Sequence, residues 1–296
     1  MKQKAIRMQT DSYFYPPTRN GLILFGMQIL NREFTLSKLL KLGWATMRAG
    51  LRIIGIFKNP LQIIRHYLYA TAPEEKELQL RNGRKLYLSN HPHDIITAFI
   101  IFGREDYGKI KPGATVIDIG ANIGVFALYA AASGAKKVYC FEPNLESYNI
   151  LSQNIAANNY SLIIFPHRLA VSDADDQIVH IPKASSPYNS VSDKKPDHQE
   201  TDSVNTVNLD TFCERNKIQR IDLIKIDCEG AEFVIIPSLS ENLLAKVGSI
   251  KVEYQDGDVN NIIQHLTKNG FQIEYHLIDK RMNGGMLWMT KPDKFQ

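Results

Sequence analysis

Asp118-x-Gly120-x-Asn122-x-Gly124 joins the end of the apolar run "TVIDIG" to the start of "IGVFALYAA". Glycines between a strand and a helix let the backbone approach a ligand closely, and the helix that follows offers free N–H groups. A nicotinamide dinucleotide site would place glycines at positions 120, 122 and 125, where this chain has Gly120, Asn122 and Val125. Asparagine tolerates a left-handed backbone better than most residues, so the turn survives the replacement. The chain has no G-x-x-x-x-G-K-S/T stretch, which disfavours a phosphate-cradling ATPase loop. Glu142 ends the next apolar run, near the offset of about 20 residues at which an acid accepts hydrogen bonds from ribose hydroxyls. With Asp118 and Pro143 beside it, the set points to a nucleoside ligand.

These residues need strands and helices to hold them. From Ala114 the pattern alternates: "TVIDIG", "KKVYCFEP", "IIFPHRLAV", "RIDLIKIDCEG" and "SIKVEY" read as strands separated by helical stretches. "FQIEYHLI" and "GGMLWMT" close the chain as two antiparallel strands. The expected fold is α/β, a doubly wound seven-stranded Rossmann-like sheet, mostly parallel with an antiparallel carboxyl-terminal edge hairpin, plus a helical amino-terminal segment. Ahead of it, "KELQLRNGRKLYLS" carries Asn82-Gly83 between alternating apolar positions, a hairpin signal. "HPHDIITAFIIFGREDYGKIKPG" reads as a loop, a helix and a connection. The polar excursion from Pro182 to Ser203 suits a solvated loop, a lid or an acceptor-binding loop. The expected organisation is a basic helical segment over 1–70, a hairpin and helix lead-in over 71–112, and the nucleoside-binding domain over 113–296.

The net charge of +4 is uneven: residues 1–70 hold eleven Lys or Arg against two acids, net +9, leaving −5 for the remainder. Within that quarter, Asn20 to Asn31 is uncharged but shorter than the roughly 18 apolar residues that span a bilayer. It lacks a small-residue cleavage site, so it reads as retained. Thr35 to Phe57 has helical periodicity, with Lys38, Lys41, Arg48 and Arg52 beside an apolar stripe of Leu36, Leu40, Trp44, Met47, Leu51 and Ile54. Such a helix suits either an anionic membrane surface or packing on the main domain or a second subunit. The three cysteines, Cys140, Cys213 and Cys228, have no metal-ligand spacing and cannot all pair. The expectation is a reduced, cytoplasmic setting, with the inner membrane face as the place of any peripheral contact.

At the level of motifs the chain resembles the class I S-adenosylmethionine-dependent methyltransferases, and more narrowly the FkbM family. The residues that carry this are "VIDIGANIGVFALYAA", "KKVYCFEPN", "HRLAVSD", "VNLDTFCER", "IDLIKIDCEGAEFVIIPSL" and "KVEY", in family order. The resemblance implies S-adenosylmethionine as cofactor, with Asp118, Gly120, Ala121, Asn122 and Gly124 around its methionine part. It implies Glu142 on the ribose with Pro143 and Asn144 beside it, and Ala170 and Val171 bordering the adenine. Many family members are assigned as sugar-hydroxyl O-methyltransferases, so the implied acceptor is a saccharide or a lipid-linked glycan.

Methyl transfer is an in-line displacement, and a sugar hydroxyl is a poor nucleophile until its proton is being removed. Asp227 at the end of the fourth strand is expected to orient the methionine part and the acceptor. Glu229 and Glu253 are the candidate bases, and Glu232 reads as an acid at a helix N-terminus. A divalent ion between Asp227 and Glu253 is a less favoured way to acidify the hydroxyl. His91 and His93 are alternative bases if their loop folds over the site, but two histidines beside a proline read first as surface residues. The resemblance implies that Asp94 faces the cofactor, and Cys228 reads as a packed thiol. Two other functions compete. A nucleic-acid methyltransferase would use the basic quarter as a clamp, but the fourth strand lacks the D/N-P-P-Y/F element of base amino-group methylation. A non-catalytic nucleoside-binding module would have no use for the acids at 227, 229 and 253.

Overall fold

Apolar runs without polar alternation belong in strands covered on both faces, and the chain places its runs accordingly. A computed structural model describes residues 27–29, 32–34, 47–69, 75–89, 91, 93–183, 201–228, 230–279 and 283–292. Strands β1 (Met27–Ile29) and β2 (Arg32–Phe34) pair antiparallel, an element that the helical reading of 1–70 did not contain. Helices α1 (47–56) and α2 (Pro60–Tyr69) follow. The expected hairpin is β3 (Glu77–Gln79) with β4 (Lys85–Tyr87), and Gly83 in its turn has φ +85°. Next come α3 (His93–Ala98) and a π-helical turn, Phe99–Arg104.

The central unit is β5 (Thr115–Ile119), α4 (Val125–Ala132), β6 (Lys137–Phe141), α5 (Leu145–Ala157) and β7 (Ile164–His167). After β8 (Ala170–Ser172), β9 (Ile178–Pro182), β10 (Thr201–Asn208) and α6 (Leu209–Arg215), the chain returns to the sheet. It ends through β11 (Ile221–Ile226), α7 (Glu232–Ser238), α8 (Glu241–Leu244), β12 (Val247–Gln255), α9 (Val259–Lys268), β13 (Gln272–Asp279) and β14 (Gly284–Thr290). The seven-stranded sheet has the order β13-β14-β12-β11-β5-β6-β7, and only β14 runs antiparallel to its neighbours. Alternate residues of one strand feed opposite cores, as the pleat requires. Val116, Val138 and Leu223 join the core under α4 and α5, whereas Ile117, Tyr139 and Ile224 join the one under α6, α7 and α9. Because β5 and β11 are neighbours, strand order reverses between them, and that is where α/β sheets open a ligand crevice.

The structure corrects three expectations. The run "IIFPHRLAV" is not one strand: β7 stays in the main sheet, while β8 pairs with β10 in a separate three-stranded sheet of order β8-β10-β9. The excursion from Pro182 to Ser203 is flanked by the β9–β10 hairpin, which the polar composition of "TDSVNTVN" concealed; residues 184–200 lie outside the described residues. In α1 the apolar stripe, read as facing either a membrane or the protein, is not the packing face where it is described. Ala49, Ile53 and Phe57 are buried instead, while Met47, Leu51 and Ile54 are 48%, 62% and 43% exposed. The face with Ala49 and Ile53 wins because it comes down on Gly103, where a Cβ would lie 3.0 Å from Ile53 Cγ1 and 3.2 Å from the Ala49 carbonyl. Leu36, Lys38, Leu40, Lys41 and Trp44 lie outside the described residues. No described helix is long and apolar enough to cross a membrane.

The hairpin is fastened to the main unit by amides of α5. Asn154 accepts from Tyr87 N (2.6 Å) and donates to Tyr87 O (3.0 Å) and Ile123 O (2.8 Å). Asn158 accepts from Lys85 N (2.9 Å) and donates to Lys85 O (2.7 Å). One hydrophobic core runs without a break from α1 through the hairpin to β5 and α5.

Candidate active site

The turn after β5 is built from left-handed residues: Gly120, Asn122 and Gly124 have φ +73°, +48° and +87°. Asn122 is the residue that takes a third glycine's conformation, as its type allows. At Gly120 the constraint is also steric, because a Cβ would lie 1.9 Å from the Asp227 carbonyl oxygen. The N–H groups of Gly120 and Ala121 both donate to Phe141 O at 3.0 Å, which binds the turn to the end of β6. Gly124 then opens α4 with no side-chain cap.

Glu142 is buried beside this turn. Its carboxylate accepts from Asn122 N (2.7 Å) and Asn144 N (2.9 Å), one bond to each oxygen. Each oxygen keeps a second lone pair, which suits a vicinal diol. Burial pushes this carboxyl up to about 7, against the two backbone N–H groups and Lys225. Pro143 follows half-buried, and Asn144 caps α5 by accepting from Ser147 N (3.0 Å). The Asn144 amide also donates to Pro182 O (2.9 Å) and Lys183 O (3.1 Å), fixing the end of β9 beside the crevice. Ala170 and Val171 are buried on β8, opposite Thr206 and Val207 of β10. The turn, Glu142, Pro143 and Asn144 are therefore brought together around the β5 and β6 ends, whereas Ala170 and Val171 belong to the small sheet.

Beneath the turn lies a charged residue that the sequence reading passed over. Lys225 of β11 is 5% exposed at its side chain and sits 3.2 Å from Asp118 Oδ1 and 3.4 Å from Asp227 Oδ2. It also donates to Gly120 O at 2.8 Å. Burial opposes its charge, but the two carboxylates outweigh burial and hold it above the usual lysine range. Asp118 is fully buried, and its carboxylate has no hydrogen-bond partner among the described residues, so Lys225 is what compensates it. The signal for Lys225 was a lone lysine in the apolar strand "DLIKI".

The acids at the β11 and β12 ends meet on Tyr107, which sequence reasoning also missed. Its hydroxyl lies 3.4 Å from both Asp227 Oδ2 and Glu253 Oε2. Burial first, and then the carboxylates of Asp227 and Glu253, keep the phenol protonated, so it is a donor there. Lys251 of β12 holds the Tyr107 backbone, donating to its carbonyl at 2.6 Å with its ammonium 4.1 Å over the Trp288 ring. Glu229 lies outside the described residues. Glu232 is fully buried and accepts from Gly230 N (2.8 Å) and Gln255 N (2.9 Å), so it clamps the loop after β11 to the end of β12.

The histidines are not plain surface residues. His93 is drawn down to about 4 by burial and by His91, against the pull of Asp227, and is a neutral imidazole in the field of that carboxylate. Asp94 is buried, accepts from Ser89 N (2.5 Å), and is pushed up to about 6 by burial. Cys228 is half-buried with its thiol 3.9 Å from Glu232. Among the described residues no group of three or more His, Cys, Asp or Glu is arranged to hold a metal ion. The chemistry on offer is a diol acceptor at Glu142, a left-handed backbone turn, and two carboxylates sharing one phenol at the switch point.

A family model described as the methyltransferase FkbM domain matches residues 118–273. Among curated proteins the chain is similar to the AMB antimetabolite synthetase AmbE of Pseudomonas aeruginosa, at 24% identity over 69% of this chain and 12% of that protein. It is similar to the hexuronic acid methyltransferase AglP of Haloferax volcanii, at 25% identity over 47% of this chain and 55% of that protein. The chain thus spans 12% and 55% of the lengths of these two relatives. Among solved structures, M. capricolum TrmK in complex with S-adenosyl-homocysteine is 14% identical, covers 63% of this chain and 67% of that chain, and has a TM-score of 0.40.

Proposed function

Since the chain belongs to the FkbM family of S-adenosylmethionine-dependent methyltransferases, we propose that it transfers a methyl group to a hydroxyl of a saccharide, free or carried on a lipid. The observation that carries this reading is the Asp227–Tyr107–Glu253 cluster beside the turn. When bound, S-adenosylmethionine supplies an electrophilic methyl group. The chain's part is to hold the acceptor oxygen in line and to take its proton. Glu142 holds the ribose, and the turn at 120–124 lies against the methionine part. Asp227, fixed by Lys225 below it, orients the reacting groups, and Glu253 is the base that receives the hydroxyl proton. The Tyr107 phenol lies within donating reach of both carboxylates, Asp227 and Glu253. Similarity to a hexuronic acid methyltransferase supports a sugar acceptor.

The test is incubation of the purified full chain with methyl-labelled S-adenosylmethionine and source-cell extract, followed by fractionation. Label in a saccharide fraction that resists nuclease and protease is expected. Label released by nuclease or protease would overturn the reading. Glu253→Gln should lower kcat by about a hundredfold or more, the scale of a lost general base, while cofactor affinity stays unchanged.

A further inference from the structure

We propose that the outward face of α1 and α2 is a docking surface for an anionic lipid membrane, independently of which acceptor is methylated. Along α1, Met47, Leu51 and Ile54 fall within roughly a 60° arc at about 100° per residue. They point away from the buried Ala49 and Ile53, which seat the helix on the protein. On α2, Leu61, Arg65 and Tyr69 follow at i, i+4 and i+8 and are all exposed, with Leu61 at 76%, while Ile63, His66 and Tyr67 face inward. The two helices are neighbours, since a Cβ on Gly50 would lie 3.9 Å from Ile64 Cδ1. Five of the nine large hydrophobic side chains exposed among the described residues lie in these two short helices, so the patch is a concentration and not a scatter.

Charge selects the occupant. The stretch 47–69 contains four Lys or Arg and no Asp or Glu. Arg52 is engaged inward, 2.8 Å from Glu105 and 3.2 Å from Gly103 O, and this leaves Arg48, Lys58 and Arg65 exposed around the apolar residues. An apolar stripe whose charged neighbours within the two helices are all cations suits a layer of anionic headgroups over acyl chains. A second copy meeting this face across a two-fold axis would bring the same cations together. A few side chains also fall short of the roughly 800 Å² per partner of a stable interface. The face is joined to the site: the Arg52 partners Gly103 and Glu105 lead directly into Tyr107.

The experiment is sedimentation of the full chain with vesicles of phosphatidylcholine alone, or of equal parts phosphatidylcholine and phosphatidylglycerol. Binding is expected on the mixed vesicles only, weakening as salt rises. The pair Leu51→Glu with Ile54→Glu should lower it at least about tenfold, as loss of two buried apolar side chains requires. A milder pair, Leu51→Ser with Ile54→Ser, guards against misfolding, and both pairs should keep the melting temperature and S-adenosylmethionine affinity. Equal binding to neutral vesicles, or undiminished binding by the folded variants, would overturn the proposal. So would a lipid-free dimer that the variants abolish, since the occupant would then be a second copy.

Discussion

Near neutral pH the Glu142 carboxyl stands close to its own midpoint, because burial raises it from 4.5 to about 7. The native state then keeps a proton that the unfolded chain has released, so this residue's contribution to stability falls as pH rises through that window. With the ribose held as proposed, its diol would donate to the ionised form, so S-adenosylmethionine should bind more tightly as pH rises from about 6 to 8. Titration calorimetry across that range should show the trend. Glu142→Gln should flatten it and weaken binding by about 1.5–3 kcal/mol, the scale of a hydrogen bond to a charged group. Lys225 makes the complementary case: Lys225→Met leaves Asp118 buried and uncompensated and should cost about 3–5 kcal/mol in urea unfolding. Adding Asp118→Asn should recover part of that loss. The place of Glu142 beside the turn was legible from an offset in the sequence. Lys225 and Tyr107 were not, because Asp118 stands 107 residues from Lys225, and Asp227 and Glu253 stand 120 and 146 residues from Tyr107, and these meet only once the strands are ordered.

For the elements, the turn between β5 and α4 works as a joint with the end of β11. Gly120→Ala would force its methyl group into the Asp227 carbonyl and should cost well over about 2 kcal/mol and abolish cofactor binding. Gly230 has φ +101° but open space around its missing Cβ. Gly230→Ala should therefore cost only the backbone strain, about 1–2 kcal/mol, and denaturant titrations of the two variants should separate strain from collision. The strands around this joint were readable in the sequence because both faces of β5, β6, β11 and β12 are buried, which writes an unbroken apolar run. Strand β10 was not readable: "TDSVNTVN" is exposed or half-exposed at five of its eight positions, and such a strand has the composition of a loop. The packing face of α1 was not legible in the sequence for a related reason. Periodicity finds the apolar stripe, but the fit to Gly103 favours the face with Ala49 and Ile53.

For the molecule as a whole, the hairpin is tied to the sheet unit by a shared hydrophobic core and by two amides of α5. Asn154→Leu should leave the Tyr87 N–H and C=O without their partners and cost about 2–4 kcal/mol. Hydrogen exchange should then accelerate across 77–88 well before it does in β5. What Asn154 and Asn158 grasp is main chain alone, the peptide groups of Tyr87 and Lys85. A side-chain amide gripping a strand in this way repeats what a neighbouring strand would offer, so the grip is blind to which side chains the hairpin carries. The hairpin and the helices before it are thus a cartridge: their outer residues can be rewritten for a different surface while the socket on α5 stays the same.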